Sequence, residues 1–181
     1  MKNIRINVKL TVAIFLINTL CISLLYIFAG ATLATMMKNS EIANLNNSLK
    51  IETNFIEEFV DNQELLLTSF SHASEVSEFL KDPDNAEKRD AAQRYTENYY
   101  ANLKNWEGLY ISEWDTHTIA HSNTADIGKY TRTGDYLELL HNKMLEDDSV
   151  YNLGIIVSPV SQKLLMSLYC PVFDDETNEV L

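Results

Sequence analysis

Cysteine, proline and glycine are scarce in this 181-residue chain, which contains two, three and five of them respectively. The two cysteines, Cys21 and Cys170, are too few for a disulfide framework or for a zinc site built from cysteines. The five glycines are scattered, so the sequence has no glycine-rich loop that could hold a phosphate group. Nor does any serine lie in the Gly-x-Ser-x-Gly turn of a hydrolase. We therefore expect no catalytic site within this chain.

Acidic residues are missing from the start of the chain, and basic residues are few in the rest. Residues 1–37 carry Lys2, Arg5 and Lys9 and no acid, whereas residues 38–181 carry 11 basic and 26 acidic residues, a net charge of −15. A protein that binds nucleic acid needs clustered positive charge against the phosphate backbone. The acidic part offers no such cluster, so we expect no nucleic-acid partner.

A long uncharged segment follows the basic N-terminus. Residues 10–37 contain no charge and are rich in Leu, Ile, Val, Phe and Ala, and about 20 such residues suffice for a helix to cross a bilayer. The positive-inside bias predicts a cytoplasmic tail over 1–9, a transmembrane helix over 10–37 and extracytoplasmic residues from 38 onward. The chain is thus expected in the cell (plasma) membrane. A cleaved signal peptide is the alternative, but its apolar region runs only about 7–15 residues.

Apolar residues with helical spacing continue beyond this segment. Between residue 39 and about residue 80 they recur at intervals of three, four or seven: Ile42, Leu45, Leu49, Ile56, Phe59, Leu66 and Phe70. Glycine and proline are absent until Pro83, where the sequence Lys-Asp-Pro-Asp ends the pattern. This predicts an extracytoplasmic stalk helix over 38–82, continuous with the transmembrane helix. Its apolar stripe packs either on its own domain or on a second subunit, which favours a homodimer through the stalk.

Residues 83–181 change from helical to strand periodicity. The predicted elements follow in this order: a helix over 86–103, strands over 109–114 and 118–122 about a turn at 115–117, a polar loop over 123–134, a helix over 135–145, and strands over 151–157 and 163–173 hinged at 158–161. The fold class is therefore α+β, with an antiparallel sheet and short covering helices. In the helix over 135–145, Tyr136, Leu139, Leu140 and Met144 share one side.

The C-terminal residues predict one more strand. A turn at 174–178 is followed by Glu179, Val180 and Leu181, which read as the first residues of a strand. A hairpin with half of its second strand leaves backbone groups unpaired. We therefore expect a sheet that is incomplete at the C-terminus, in a chain that is a fragment or a shortened gene product.

The register of the first hairpin decides which side chains share a face of the sheet. A turn with two central residues places Trp114 opposite His117, Ser112 opposite Ile119 and Tyr110 opposite His121, whereas a turn one residue longer breaks this grouping. Period two then gives one face these members: Tyr110, Trp114, His121 and Asn123. Tyr151 and Tyr169 on later strands complete the expected wall.

These side chains suit a pocket for a small polar molecule, which requires an apolar wall and a few convergent polar groups. The alternative is that the aromatic residues only pack a small sheet. His121 can donate, accept or titrate near neutral pH. His117 and His121 have the four-residue spacing of a metal pair on a helix, but the local period is that of a strand, so we expect no metal and no cofactor. His141, on the short helix, is expected to be solvated.

Three stretches carry a resemblance to a known family: Trp106-Glu107-Gly108-Leu109-Tyr110-Ile111, the segment from Trp114 to Asn123, and Tyr169-Cys170-Pro171-Val172-Phe173-Asp174. With the anchor, the stalk and the order of elements, residues 38–181 resemble the Cache (extracytoplasmic PAS-like, dCache-type) sensor domains of bacterial transmembrane receptors such as methyl-accepting chemotaxis proteins. The resemblance implies a truncated PAS-like sensor module over 83–181.

The resemblance also implies a function. In that family a small metabolite binds between the sheet and its covering helices and loop, and binding biases the stalk helix. Asp174 falls where the amino-acid-binding branch has an acid that contacts the ligand amine, although the Arg-x-Trp element of that branch is absent. We therefore expect extracytoplasmic small-molecule sensing and transmembrane signalling without enzymatic activity in this chain. The alternatives are the regulatory input of a membrane-bound diguanylate cyclase or histidine kinase, and a structural tether without a ligand.

Overall fold

The computed structural model describes residues 6–146, 150–158, 161–174, 176–177 and 179–181. Its elements are α1 (Ile6–Ser71), α2 (Ser74–Lys81), α3 (Ala86–Tyr100), β1 (Tyr110–Ser112), β2 (Thr118–His121), a 3-10 turn (Thr124–Asp126), α4 (Asp135–Glu146), β3 (Tyr151–Val157) and β4 (Leu164–Tyr169). The predicted α+β class is confirmed. The chain divides into two compact units, Met1–Glu58 and Phe59–Leu181, and the sheets belong to the second.

The first unit consists of the N-terminal part of α1. The helix is long and apolar enough to cross a membrane, by length and composition alone. Its hydroxyl groups bond back to carbonyls one turn earlier: Thr19 to Phe15 O at 2.9 Å and Ser23 to Thr19 O at 2.8 Å. Such internal pairing is what a helix in lipid requires of its polar side chains. The predicted helix over 10–37 lies entirely within α1.

Two helices occupy the segment predicted as a single stalk helix. α1 ends at Ser71 and α2 begins at Ser74, because Ala73 between them has extended backbone angles (φ −72°, ψ 139°). The break reorients the chain so that Val76 and Phe79 are buried. The prediction of one continuous helix is therefore wrong beyond Ser71. Tertiary packing causes the break, since no glycine or proline lies at this point.

A core formed largely by helices lies at the centre of the second unit. We call it the helical core, and its buried members are Leu67, Phe70, Val76, Phe79, Ala92, Leu109, Ile111 and Ala120. They come from the end of α1, from α2 and α3, and from the first hairpin. Val76 and Phe79 are each only 1% exposed. Burying side chains of this size is the main source of stability in a small domain.

The helix predicted over 86–103 is confirmed as α3, although it ends three residues earlier, at Tyr100. The side chain of Asn85 accepts hydrogen bonds from Glu87 N (3.0 Å) and Lys88 N (3.3 Å), so it caps the first turn. The side chain of Gln93, farther along α3, donates to His121 O at 2.8 Å and accepts from His121 N at 3.1 Å. Gln93 thus pairs with the outer edge of β2 as a neighbouring strand would.

The first hairpin has a longer turn than predicted. Tyr110 pairs with His121 as expected, but Ser112 pairs with Thr118 instead of Ile119, because a bulge interrupts the ladder. Glu113 N donates to His117 O at 2.9 Å, so three residues, 114–116, form the tip. The predicted pairing of Trp114 with His117 is therefore wrong.

A left-handed residue explains this turn. Thr116, the last residue of the tip, has φ +67°, the conformation that three-residue hairpin loops require at this position. A β-branched residue is unfavourable there, but its hydroxyl donates to Arg132 O at 2.9 Å and accepts from Arg132 N at 3.0 Å. The loop that follows β2 therefore holds the tip in place.

The second hairpin forms a sheet of its own. β3 matches the predicted strand over 151–157, whereas β4 spans only Leu164–Tyr169 of the predicted 163–173. A bulge lies at Leu153, next to Gly154 with φ +80°. The structure thus has two two-stranded antiparallel sheets where one sheet was expected. Part of the predicted hinge at 158–161 lies outside the described residues.

The C-terminal residues form an incipient hairpin. Phe173 and Val180 make an isolated antiparallel bridge, and Leu181 N donates to Val172 O at 2.9 Å. Asp174 N donates to Glu179 O at 2.8 Å across the same turn. The predicted turn over 174–178 agrees with this pairing, although residues 175 and 178 lie outside the described part.

Helix α4 confirms the prediction over 135–145, with one more residue at its end. Leu140 and Met144 are buried, as the predicted apolar side requires, but Tyr136 is 75% exposed and Leu139 48% exposed. The predicted four-residue side is therefore too wide. Of the four predicted residues, only Leu140 and Met144 face the domain.

Candidate ligand-binding site

Four of the predicted site residues come together in one cluster, which we call the aromatic cluster. It consists of Tyr110, Trp114, Tyr151 and Tyr169 with Leu140, Met144 and Leu153. The aromatic side chains come from β1, the hairpin tip, β3 and β4, and the two buried aliphatic residues come from α4. Leu153 enters because the β3 bulge inserts it as an extra residue. The cluster thus joins the two hairpins beneath α4.

Trp114 is held by His141, which the sequence analysis placed in solvent. Their rings stack with centroids 4.2 Å apart and an interplanar angle of 13°. His141 Nε2 and the carbonyl oxygen of Trp114 are 2.6 Å apart, so the ring nitrogen donates this hydrogen bond. The prediction for His141 is therefore wrong. The helical spacing of α4 could not reveal the contact, because its partner lies 27 residues away in a turn.

Tyr110 is half-buried in the aromatic cluster, beside Tyr169, which is 8% exposed. Burial, together with the neighbouring Tyr169, raises the pKa of its hydroxyl well above the ordinary value. Its ring also stacks on His121, with centroids 5.7 Å apart and planes 7° apart. Tyr110 therefore stays protonated and can act as a neutral hydrogen-bond donor or acceptor.

His121 lies at the margin of the cluster in one fixed tautomer. Asn123 N donates to His121 Nδ1 at 2.8 Å, so Nδ1 carries no proton and Nε2 does. Burial lowers the pKa of the imidazole. The ring also lies against Gly108, where an added Cβ would come within 3.0 Å of His121 Cε1. His121 is therefore a neutral, half-buried side chain between the Tyr110 ring and the backbone of Gly108.

Asn123 and Asp126 form a local polar motif instead of a pocket wall. The Asn123 side chain accepts from Ala125 N at 3.3 Å, which caps the 3-10 turn, and donates to Asp126 Oδ2 at 2.7 Å. Lys129 also donates to Asp126, and this contact lowers the pKa of the carboxyl. Asn123 itself is exposed. The predicted alternation along β2 failed here because the strand ends at His121.

Asp174 is engaged with other groups. Its carboxylate accepts hydrogen bonds from Glu176 N (2.7 Å) and Thr177 N (3.1 Å) and forms an ion pair with Lys81 at 3.2 Å. The two backbone hydrogen bonds are the main cause of its lowered pKa, and Lys81 lowers the pKa further. A carboxylate that follows a strand and precedes a turn commonly binds the next two or three amides in this way. Asp174 thus connects the C-terminal turn to α2, and the aromatic cluster does not include it.

Arg132 is a residue beside the cluster that the sequence analysis missed. Its guanidinium lies over the Tyr169 ring, 5.5 Å from the centroid, and donates to Thr131 O at 2.7 Å. Thr131 Oγ1 is buried, and the Thr131 side chain lies beside the Tyr110 hydroxyl. A half-buried cation and a buried hydroxyl therefore border the tyrosine rings. Both residues lie in a loop of mixed polarity, so no periodic pattern in the sequence could mark either one as part of a site.

The histidines and acids of the first hairpin make pairwise contacts. His117 Nδ1 lies 2.8 Å from Glu113 Oε2, and its ring contacts that of Tyr130 at 5.0 Å. Within the described residues, no group of three His, Cys, Asp or Glu side chains is placed to hold a metal ion. The arrangement offers aromatic surface, tyrosine hydroxyls and one guanidinium, which suits non-covalent binding of a small polar molecule.

No protein-family model matches the chain, and no curated protein matches it significantly. The Cache resemblance therefore rests on the residues quoted above, and the corresponding fold and function stay predictions.

Proposed function

We propose that this chain is the input part of a membrane receptor, a PAS-like Cache sensor module that binds a small molecule outside the cell. The observation that carries the proposal is the continuity of α1. The same helix contains the apolar segment of membrane length and, at its other end, Leu67 and Phe70 of the helical core. In the proposed orientation, the N-terminus lies in the cytoplasm and the second unit lies outside.

The end of α1 is bonded to α3, to the loop before β1 and to β3 by side-chain hydrogen bonds. Trp106 Nε1 donates to Gln63 Oε1 at 2.6 Å, and Asn152 Nδ2 donates to Glu64 Oε1 at 3.0 Å. Tyr99 donates to Leu66 O at 2.8 Å. These bonds give a bound ligand a physical means to favour one position of α1 over another.

The aromatic cluster is the proposed ligand site. Tyr110, Trp114, Tyr151 and Tyr169 supply the wall, and Arg132 supplies a charged group beside it. A ligand shifts the receptor only by the difference between its affinities for the two states. The proposed mechanism is thus a population shift, in which ligand contacts with α4 and the tyrosines favour one packing of the sheets on α1.

A second copy of the chain is the proposed partner along α1. Ile42, Leu49 and Ile56 are seven residues apart, and Leu45 and Phe59 occupy the intermediate positions of the same heptad pattern. All five side chains are exposed. The pattern is interrupted once, by Glu52 at the intermediate position between Leu49 and Ile56, but apolar residues with 3-4 spacing are the feature that two-stranded coiled coils pack in their seam. Anchoring both copies in one membrane favours a parallel, in-register dimer.

Ligand binding is tested with the full chain in lipid nanodiscs, by isothermal titration against pools of amino acids, small carboxylic acids, amines and sugars. We expect at least one pool to bind and to change the emission of Trp114, which stacks on His141. Tyr169→Ala should then weaken binding by about tenfold or more. Tyr136→Ala is the matched control because Tyr136 is exposed on the same helix that covers the cluster; it should leave affinity unchanged.

Disulfide crosslinking tests the dimer in a chain whose native cysteines are replaced. Leu49→Cys should crosslink between copies, and Asn54→Cys, on the opposite side of the helix, should not.

In the titration experiment, a result in which no pool binds would contradict sensing and would favour the alternative of a structural tether without a ligand. A cyclase or kinase output would change what the signal controls, but it predicts the same binding.

A further inference from the structure

Two histidines near the proposed site use a ring nitrogen as a hydrogen-bond donor. His117 Nδ1 lies 2.8 Å from a carboxylate oxygen of Glu113, and His141 Nε2 lies 2.6 Å from the carbonyl oxygen of Trp114. Carboxylate and carbonyl oxygens only accept hydrogen bonds, so both rings donate. A second proton on either ring therefore leaves its hydrogen bond intact.

The ring of His121 has the opposite role. Its Nδ1 atom accepts a hydrogen bond from Asn123 N at 2.8 Å, and an imidazole nitrogen accepts only while it carries no proton. Protonation breaks this bond and leaves two N–H groups facing each other. Among these three histidines, His121 is thus the one whose contact a proton abolishes.

Asn123 connects this bond to the turn that follows β2. Its side chain accepts from Ala125 N at 3.3 Å, which caps the 3-10 turn, and donates to Asp126 Oδ2 at 2.7 Å. The backbone of the same residue is held by His121. Loss of the bond to His121 therefore frees the residue that organises the turn.

The loop that begins with this turn ends at the proposed ligand site. Residues 128–131 bond to residues 116–118 by three backbone hydrogen bonds of 2.8, 2.9 and 3.2 Å. The next residue, Arg132, places its guanidinium 5.5 Å from the centroid of the Tyr169 ring. The loop is thus held by His121 at its start and carries the charged group of the site at its end.

The His121 ring also contacts the aromatic cluster directly. It stacks on Tyr110 with planes 7° apart, and Gly108 lies against its edge. Burial lowers the pKa of this imidazole. A charged ring regains hydration by moving away from these two neighbours, and Tyr110 then loses a stacking partner.

The charged groups that act on the ring come from the loop. Asp126 favours the proton and Lys129 opposes it. Asp126 is ionised throughout the range in which a histidine titrates, because Lys129 lowers its pKa. From β1 the ring faces Tyr110, which stays protonated, and from α3 it faces Gln93, which donates to Glu97 at 2.7 Å. Asp126 is therefore the acid toward which a protonated ring can turn.

From these contacts we propose that His121 is a proton-sensitive switch on the ligand site, an inference that rests on the proposed function for the identity of that site. A neutral ring holds the 3-10 turn and Tyr110 in the arrangement described above. A protonated ring releases both, so acidification loosens the loop that carries Arg132 and weakens binding at the aromatic cluster. The module then responds to pH as well as to a small molecule.

The test follows the full chain in nanodiscs by NMR between pH 7.5 and 5.0, with protons as the probe and no other ligand. We expect the hydrogen-exchange protection of the Asn123 amide to fall by about tenfold or more over this range. The Val76 amide, which donates to Ala73 O at 3.0 Å, should keep its protection, because the opening is local. The Arg132 Nε–H resonance should shift with the same midpoint as the His121 ring.

Three variants identify the histidine responsible. His121→Gln keeps an acceptor near Asn123 N and should abolish both pH-dependent changes. His72→Gln, at an exposed position, and His117→Gln, at a ring that donates, are the matched controls and should preserve both changes. Full protection of the Asn123 amide at pH 5.0, or an equal loss in His121→Gln, would overturn the proposal.

A response of the Asn123 amide without one at Arg132 would also overturn the proposal, because the switch would then not reach the site. Sensing is tested separately by the pool titration at pH 7.5, where His121 is neutral. A failure to bind there would contradict the proposed function and would not change the outcome of the pH experiment, which uses no ligand.

Discussion

The two apolar clusters of the second unit differ in what their side chains can do. The helical core is almost purely aliphatic and aromatic hydrocarbon, and Val76 and Phe79 within it are fully buried. The aromatic cluster contains tyrosines and a tryptophan that are mostly half-buried, with His141, His121 and Arg132 at its border. Half-exposed polar side chains bury less apolar surface than a closed core does, but a ligand can contact them. The first cluster thus has the burial of a stabilising core, and the second has the exposed polar groups that the proposed binding requires.

The largest expected effect separates the clusters by stability. Phe79→Ala removes a side chain that is 1% exposed and should lower the free energy of unfolding by about 3–5 kcal/mol. Trp114→Ala removes a half-buried ring, including its stacking on His141, and should cost about 1–2 kcal/mol. Urea unfolding of the chain, followed by circular dichroism, measures both values.

Phe55→Ala serves as the control for this comparison, because Phe55 is 69% exposed on α1. Exposed substitutions of this kind usually change stability by less than about 0.5 kcal/mol. If Trp114→Ala cost as much as Phe79→Ala, the aromatic cluster would be a second core, and its assignment to binding would be wrong.

The first hairpin shows how far the sequence alone could predict the proposed site. Alternation correctly paired Tyr110 with His121. It failed two residues later, since the left-handed Thr116 lengthens the turn and Ile119 is taken up by a bulge. Thr116 adopts that conformation because Arg132, 16 residues away, bonds its hydroxyl. A local pattern cannot contain such a contact.

The break between α1 and α2 and the contacts of Asp174 likewise depend on residues that a local sequence pattern does not include. The helical pattern runs without interruption through Ala73, yet the chain turns there to bury Val76 and Phe79. Asp174 was assigned a ligand role by resemblance, whereas its oxygens accept from two following amides and pair with Lys81. Periodicity predicted the helices and strands well, because it reflects burial. It could not predict which polar groups find partners within the protein.

A smaller effect on stability is expected at Gly108, whose backbone lies against the His121 ring at the margin of the aromatic cluster. Gly108→Ala places a Cβ 3.0 Å from His121 Cε1 and 3.2 Å from Nε2, so the imidazole must shift. The expected cost is about 1 kcal/mol of unfolding free energy. In a His121→Ala background the same substitution should cost much less. A double-mutant cycle on the unfolding free energies measures this coupling. If the losses of the two single variants simply added, the His121 side chain would not be the reason that position 108 requires glycine.

The smallest effect concerns the protonation of His121. Burial holds the pKa of its imidazole below the ordinary 6.5, so the folded state binds the proton less readily than the unfolded state does. The stability that the folded state has with a neutral His121 is therefore fully present above pH 6.5. It is lost as the pH falls from 6.5 toward the pKa of His121 in the folded state. Protonation also costs the bond from Asn123 N to Nδ1, because that atom can then no longer accept. Nearby Asp126 opposes the shift and Lys129 reinforces it.

His121→Gln removes this titration and keeps an acceptor near Asn123 N. The unfolding free energy of the unaltered chain should decline between pH 6.5 and 5, and the variant should decline less over the same range. Asp126 titrates in a separate, more acidic window, since its contact with Lys129 lowers its pKa below 3.8. Parallel stability curves for the two chains would mean that His121 is as accessible to protons in the folded state as in the unfolded one. The enclosure of the ring by Gly108 and Tyr110 predicts the opposite.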